Sequence, residues 1–262
     1  MQTSSTKPGT QRPRGARAFY ITGGSLFLFY LIWKLATIRL GKEIILPSPE
    51  AAFTALLNLL RTPDFWRHFS ATLYRGLLGF SLSYLVGLVF GLYSGLNPYF
   101  NLFFRPILVM IRSTPSMSLI LLALIWFKSD FVTIFVTFFV VFPLVTQNVL
   151  EGIRQVDPTL LEMAKIFRVK PRRVWMKLYL PAILPFLAAG AAAGLGITWK
   201  VMIAAEVMAV PRWGMGTQMD TARTFLNTPE VFAWTAVVLL LGYLFDQAID
   251  YIIQNLLLPW RR

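Results

Sequence analysis

The sequence predicts an all-α integral membrane protein with about six transmembrane helices. Of its 262 residues, 56% are hydrophobic and only 14% are charged, and the mean hydropathy is +0.60. The apolar residues gather into runs of about 20, the length at which a helix crosses a hydrocarbon core about 30 Å thick. The charged residues lie mostly between these runs, as expected for loops outside the bilayer.

Six apolar runs are long enough to be spans. They cover residues 18–38, 71–95, 102–126, 131–150, 179–209 and 231–257. The fifth is longer than a single crossing requires, and we expect Pro185 and the glycines around it to bend that helix. We interpret residues 18–262 as one transmembrane domain.

The distribution of basic residues predicts the orientation. Residues 1–17 carry four basic and no acidic side chains, which is typical of a disordered cytoplasmic tail. With this tail inside, the strongly basic connection at 151–178 and the C-terminus are also inside. The positive-inside rule therefore places both termini in the cytoplasm.

The composition argues against several classes of function. The net charge of +13 is not arranged as a basic stripe interleaved with aromatic residues, so we expect contact with anionic lipid headgroups of the bilayer and no nucleic-acid binding. The chain has no cysteine and a single histidine, His68, so no metal site and no cofactor is predicted. A membrane-embedded enzyme would need a cluster of such side chains at one depth, and we predict no catalytic residues.

The polar segment between the fourth and fifth spans, residues 151–181, predicts a short amphipathic helix. Asp157 is suited to be its N-cap and Pro158 its first residue. Apolar residues then recur beside charged ones, as in a helix that lies in the groove of a partner protein. The apolar residues are Leu160, Leu161, Ala164, Ile166 and Phe167.

This segment resembles the cytoplasmic coupling loop of ABC importer permeases. The matching residues, in order, are Gly152, Asp157, Pro158, Glu162, Ala164, Pro171 and Leu180-Pro181. The signature of the family is Glu-Ala-Ala followed by a glycine. Here Met163 replaces the first alanine and Arg168 stands where the glycine is expected, at a cost of about 1 kcal/mol or more if the backbone φ there is positive.

Further motifs extend the resemblance over most of the chain from about residue 45 and point to the nitrate, sulfonate, taurine and bicarbonate branch. They are Leu46-Pro47-Ser48-Pro49, Thr72-Leu73-Tyr74-Arg75 with Gly76 and Gly79, Pro106 with Ile111-Arg112-Ser113-Thr114-Pro115, Phe142-Pro143 and Ala204-Ala205-Glu206.

The resemblance implies a type I importer permease of the bacterial inner membrane, paired with a second copy of itself. It would receive a small anion from an extracytoplasmic solute-binding protein and be driven by two copies of a cytosolic ATPase that bind ATP and Mg. The chain lacks a phosphate-binding Gly-x-x-x-x-Gly-Lys-Ser/Thr loop, so the hydrolysis is expected in the partner. The implied coupling residues are Asp157, Leu161, Glu162, Met163, Ala164, Phe167, Arg168 and Pro171.

Ionisable residues inside spans are candidates for the substrate path, because an unpaired charge in lipid is costly. Arg112 and Lys200 could offset the charge of an anion, with Ser113, Thr114 and Trp199 as neutral lining and Glu206 near the outer end. Equally, these cations could only neutralise acidic residues within the bundle. Lys200 and Glu206 are six residues apart, about 240° around a regular helix, so they should not pair with each other.

A second hypothesis is an ion-coupled secondary transporter or channel, in which the same intramembrane charges would bind the coupling ion. Such a protein would transport without an ATPase. It usually has an inverted repeat, and none is visible in the sequence.

Overall fold

The computed structural model describes residues 15–252, and within this range every regular element is a helix. The helices are α1 (Gly15–Leu40), α2 (Pro49–Leu60), α3 (Pro63–Leu96), α4 (Pro98–Ser113), α5 (Ser116–Trp126), α6 (Ser129–Arg154), α7 (Pro158–Ile166), α8 (Pro171–Val174), a π-helical turn (Trp175–Tyr179), α9 (Leu180–Ala209), α10 (Met215–Thr224) and α11 (Thr228–Ile252).

Five helical segments are long and apolar enough to cross a membrane, and the pair α4 and α5 makes up to six. The prediction of about six spans is therefore confirmed. The predicted span 102–126 is not one straight helix, because α4 and α5 meet at 95°. Pro115 explains the break, since a proline disfavours the helical conformation of the residue before it, and Thr114 has φ −71° and ψ 123°.

Other predicted boundaries also shift. The second span begins at Pro63, well before residue 71, because the polar start of α3 contributes buried residues such as Phe65 and His68. The fifth begins at Pro171 and runs through the π-helical turn to Ala209. The predicted tail lies outside the described residues as far as residue 14, and α1 includes its last three residues. Residues 253–257 of the sixth predicted span also lie outside them.

The helices α3, α6 and α9 form the centre of the molecule. Gly87, Gly91 and Gly95 recur along the face of α3 that contacts α6. A Cβ atom on Gly91 would lie only 2.5 Å from the Cβ of Val149. Small residues at this spacing let the backbones of α3 and α6 approach closely.

The helix α1 lies at the edge of the bundle and is attached mainly through Glu50 of α2. Lys34 and Tyr30 donate hydrogen bonds to the Glu50 carboxylate over 2.7 and 2.8 Å. The hydrogen bond from Lys34 is the largest of the effects that lower the pKa of Glu50 to about 2. This attachment is therefore complete above about pH 4.5 and is lost only as the pH falls through about 2.

The two ends of the bundle are built from different elements. At the α7 end, the C-termini of α3 and α6 meet the connection that contains α7, α8 and the π-helical turn. At the α10 end, the N-termini of α3 and α6 meet the C-terminus of α9 and the helix α10. The two ends contain different candidate sites.

Candidate functional site

The helix α7 begins at the residues that the sequence indicated. The side chain of Asp157 accepts a hydrogen bond from the backbone N–H of Thr159 over 2.8 Å, and Pro158 is the first helical residue. A carboxylate at this position satisfies a backbone donor that the helix itself leaves unpaired. The predicted N-cap is confirmed.

The C-terminus of α7 has a backbone geometry that favours glycine at the position of Arg168. The backbone N–H of Val169 bonds to the carbonyl of Ala164 over 2.9 Å, and that of Arg168 bonds to the carbonyl of Lys165 over 3.1 Å. These two bonds define a Schellman motif, whose turn residue is left-handed. Arg168 has φ 49°, so the turn keeps the geometry that favours glycine although the residue has changed.

The side chains of α7 are available for contact. None of its residues is buried, and Ile166 and Phe167 are 76% and 73% exposed. Met163 is also exposed, whereas Leu161 and Ala164 are half-buried against the rest of the connection. A row of exposed apolar side chains on a short, capped helix is the form of a helix-in-groove interface.

A buried ion pair lies at the α10 end. Arg75 of α3 donates a hydrogen bond to Glu206 of α9 over 2.5 Å, and both side chains are almost completely inaccessible, at 6% and 0% exposure. The same guanidinium pairs with Asp130 at the start of α6 over 2.6 Å, and it donates to the backbone carbonyl of Trp213 over 2.5 Å. Arg75 therefore joins α3, α6, α9 and the turn that follows α9.

The carboxylate of Glu206 is fully paired. Besides the bond from Arg75 it accepts from the hydroxyl of Thr72 over 2.8 Å and from the backbone N–H of Gly216 over 2.9 Å. Three donors offset much of the cost of burying this charge. The sequence prediction that Glu206 does not pair with Lys200 agrees with the structure.

The turn between α9 and α10 is held by side chains of α3. The hydroxyl of Thr72 accepts from the backbone N–H of Met215 over 2.8 Å. The Nδ1 atom of His68 lies 3.0 Å from the backbone nitrogen and 3.1 Å from the carbonyl oxygen of Gly214, and its tautomer decides which of the two it bonds. A Cβ atom on Gly216 would lie 2.6 Å from the carbonyl oxygen of Ile203. Only glycine lets the chain pass this close to α9. We refer to these residues with Arg75, Glu206 and Asp130 as the α10-end network.

The residues predicted on the third span lie at the break between α4 and α5. The side chains of Arg112 and Ser113 are exposed, and Thr114 is half-buried. The hydroxyls of Ser113 and Thr114 donate to carbonyls one turn earlier in α4, those of Val109 and Met110. Because of the break, Arg112 lies in the last turn of α4, and the predicted third span continues only after the 95° bend.

The residues predicted on the fifth span point in different directions. Lys200 is exposed, and neither it nor Arg112 forms an ion pair with any residue in the described range 15–252. Trp199 is only 2% exposed and stacks on Phe245 at a centroid distance of 4.7 Å. The chain therefore leaves Arg112 and Lys200 uncovered and encloses Trp199 and Glu206.

Sequence reasoning missed the partner of Glu206. Only Arg112 and Lys200 were considered as deep cations, although Arg75 falls inside the second predicted span and was noted only as part of a motif. Arg75 is a further cation within the predicted spans, and it is 5% exposed, whereas Arg112 and Lys200 are exposed. The available signal was an arginine within a predicted span, because a charge there needs a partner.

Comparison with known proteins gives consistent matches along the chain. Residues 86–257 match the family model described as the binding-protein-dependent transport system inner membrane component. The chain is 29% identical to the putative aliphatic sulfonates transport permease protein SsuC of Bacillus subtilis, covering 97% of this chain and 91% of the relative. It is 28% identical to the taurine transport system permease protein TauC of Escherichia coli, over 94% and 91%.

A more distant relative and a solved structure extend the comparison. The bicarbonate transport system permease protein CmpB of Synechocystis is 27% identical over 88% of this chain and 86% of its own length. An inward-facing structure of the MetNI methionine ABC transporter superposes with a TM-score of 0.54. The identity is 20%, and the match covers 73% of this chain and 93% of the other, so it supports the type I importer permease fold.

Proposed function

The chain belongs to the family of binding-protein-dependent transport system inner membrane components and is the multi-pass permease subunit of an ABC importer; from this premise we propose that it carries a small anion of the sulfonate, taurine, bicarbonate or nitrate class. Relatives that match nearly its whole length carry names specifying aliphatic sulfonates, taurine and bicarbonate. This agreement along the full chain is the observation that carries the proposal. The secondary-transporter hypothesis has no comparable support.

The accessible cations fit an anionic solute. Arg112 and Lys200 are exposed and have no ion-pair partner among the described residues. An unpaired cation along an apolar wall lowers the energy of an anion that passes it. Ser113 and Thr114, beside Arg112 at the break in α4 and α5, add hydroxyl groups. The path lies between two identical permease copies, so each copy contributes one such wall.

The coupling role belongs to α7. Its exposed side chains Met163, Ile166 and Phe167 enter a groove of a cytosolic ATPase, with Glu162 as the charged contact, and Arg168 forms the turn that ends the helix. Asp157 and Pro171 fix the two ends of the coupling segment, and Leu161 and Ala164 support it from behind. This arrangement places the α7 end and both termini in the cytoplasm, in agreement with the positive-inside rule.

Transport follows from movement of this helix. When two ATPase copies bind ATP and Mg and close, they displace both α7 helices, and the bundles change from an inward-facing to an outward-facing arrangement. The α10-end network holds the turn after α9 rigidly against α3, so that a binding protein docked at this end meets a preformed surface. The chemistry of ATP hydrolysis takes place in the partner.

Reconstitution tests the function directly. The permease is expressed with the ATPase and binding protein from its own gene neighbourhood, and uptake of radiolabelled taurine, an alkanesulfonate and bicarbonate into proteoliposomes is measured with internal ATP. We expect ATP-dependent uptake of one anion that requires the binding protein. Uptake that persists without ATP or ATPase would contradict the importer mechanism.

The proposed path residues require a separate variant. Lys200→Gln should lower the rate of uptake while leaving the assembled complex intact, whereas the same change at Lys42, an exposed lysine in the connection between α1 and α2, should have little effect. Equal rates for both variants would remove Lys200 from the path.

A further inference from the structure

Two adjoining cavities lie at the α7 end, on the side of α7 that is turned away from its most exposed residues. The first has a volume of about 710 Å³ and is lined by Lys165, Arg168 and Lys170 on one side and by Leu96, Trp175 and Tyr179 on the other. We refer to it as the cationic cavity. The volume falls in the range of small-molecule sites, about 300–1,000 Å³.

The cationic cavity has an unbalanced charge. Three basic residues line it and no acidic residue does. None of the three forms an ion pair within the described residues 15–252. Three like charges around one space repel one another unless an anion lies between them, so the cavity favours a negatively charged occupant.

The second cavity is apolar and continuous with the first. It measures about 400 Å³, and Leu96 and Trp175 line both cavities. Its other walls are Val89, Leu92 and Tyr93 of α3, together with Asn97. A basic compartment that opens into an apolar one along a membrane-spanning helix matches the two parts of a phospholipid, a charged headgroup and acyl chains.

The local structure places this composite site at the membrane boundary. Leu96 is the last residue of α3. Trp175 is the first residue of the π-helical turn, near the N-terminus of the long segment Pro171–Ala209. Trp175 and Tyr179 lie with ring centroids 5.0 Å apart, and such aromatic side chains are enriched where headgroups meet acyl chains. Single π-helical turns are rare and are frequent at functional sites.

From these observations we propose that the α7 end binds one anionic phospholipid per chain, with its phosphate held by Lys165, Arg168 and Lys170 and its acyl chains against Leu96, Trp175 and the apolar face of α3. The bound lipid fills the space behind α7 and supports that helix. Met163, Ile166 and Phe167 do not line the cationic cavity. The lipid and the ATPase therefore contact different sides of α7, and the site is separate from the path of the transported anion.

Native mass spectrometry of the full chain, purified in mild detergent, tests the proposal. Phosphatidylglycerol and phosphatidylcholine with the same acyl chains are titrated in parallel. We expect one retained phosphatidylglycerol per chain and no comparable retention of phosphatidylcholine. One basic side chain contributes about a fivefold change in affinity for an anionic headgroup, so Lys170→Glu should weaken retention by more than about fivefold.

Arg172→Glu is the matched control, because it makes the same change in charge two residues away and Arg172 does not line the cationic cavity. Equal losses in both variants would mean a diffuse attraction to headgroups and would overturn the proposal. Equal retention of phosphatidylcholine would do so too. Loss of the permease dimer in Lys170→Glu would mean that a second copy of the chain, and not a lipid, occupies the cationic cavity. Displacement of the lipid by the ATPase would mean that the ATPase occupies it.

A second measurement does not depend on the folding of a charge variant. Phosphatidylglycerol with brominated acyl chains should quench the tryptophan fluorescence of the wild-type protein more than that of Trp175→Phe. The variant lacks the one tryptophan that would lie against the bound acyl chains. Identical fractional quenching in the two proteins would contradict binding beside Trp175.

Discussion

Replacing Arg75 by alanine should destabilise the protein strongly, because the substitution leaves the Glu206 carboxylate buried without a cation. Glu206 is completely inaccessible, and Arg75 is the charged group among its three donors. The donors that remain, Thr72 and Gly216, are neutral. The carbonyl of Trp213 also loses a hydrogen bond, and Asp130 loses its ion-pair partner.

The magnitude follows from the burial of both partners. Removing one member of a buried ion pair costs about 3–5 kcal/mol, since the other charge stays desolvated. For a chain of this size, 1 kcal/mol corresponds to a shift of about 2–4 °C in melting temperature, so Arg75→Ala should melt roughly 6–20 °C below the wild type.

The assay is thermal unfolding in detergent, followed by fluorescence-detected size-exclusion chromatography. Arg223→Ala is the control, because Arg223 also pairs with an aspartate, Asp220, over 2.8 Å but is 72% exposed. Exposed pairs contribute about 0–1 kcal/mol, so the control should shift the melting temperature by less than about 4 °C. The double variant Arg75→Met with Glu206→Met should lose less than the sum of the single changes, because it leaves no unpaired charge.

Two results would refute this reasoning. If Arg75→Ala and Arg223→Ala melt within about 2 °C of each other, the buried pair is not an important contributor to stability. If the two single methionine variants add without interaction, Arg75 and Glu206 are not energetically coupled, whatever their distance.

Three further predictions concern other positions. Gly216→Ala should lower the melting temperature, because its Cβ would overlap a carbonyl of α9. Gly196→Ala should not, because its Cβ would have no neighbour within 4 Å. Equal effects would contradict the close approach of Gly216 to α9. Arg168→Gly should raise stability by about 1 kcal/mol, because φ 49° strains any residue except glycine, and an unchanged melting temperature would mean that the strain is relieved elsewhere. Glu162→Lys should weaken co-purification of the ATPase, while Glu151→Lys, on the preceding helix, should leave it unchanged; loss in both would indicate a general charge effect.

The features that the sequence predicted well depend on short stretches of chain. Apolar runs of sufficient length identify spans regardless of their neighbours, because each such helix satisfies its own backbone hydrogen bonds. The N-cap Asp157 and the first residue Pro158 likewise involve contacts only two residues apart. Even the left-handed turn at Arg168 could be inferred from the glycine expected at that place.

The errors arise where distant residues meet. The partner of Glu206 is 131 residues earlier in the chain, so no local pattern identified Arg75. The start of α3 has a polar sequence, so hydropathy did not place it in the span. Its residues are buried because α10 and α11 cover them. Nor did the sequence show that Arg112 lies in the last turn of α4, because the 95° bend after it divides the predicted third span.

By itself, the sequence determined the class of this protein, the number of its spans and the start of the short helix between the fourth and fifth spans, because hydropathy, charge and capping act over one or two helical turns. Only the tertiary structure decided which charges are paired in the interior and which face open space. Burial and pairing depend on the approach of α3, α6 and α9 and the turn that follows them, and small glycines such as Gly91 and Gly216 allow that approach. The cationic cavity behind α7 likewise exists only because the end of α3 meets a loop about 70 residues further along the chain.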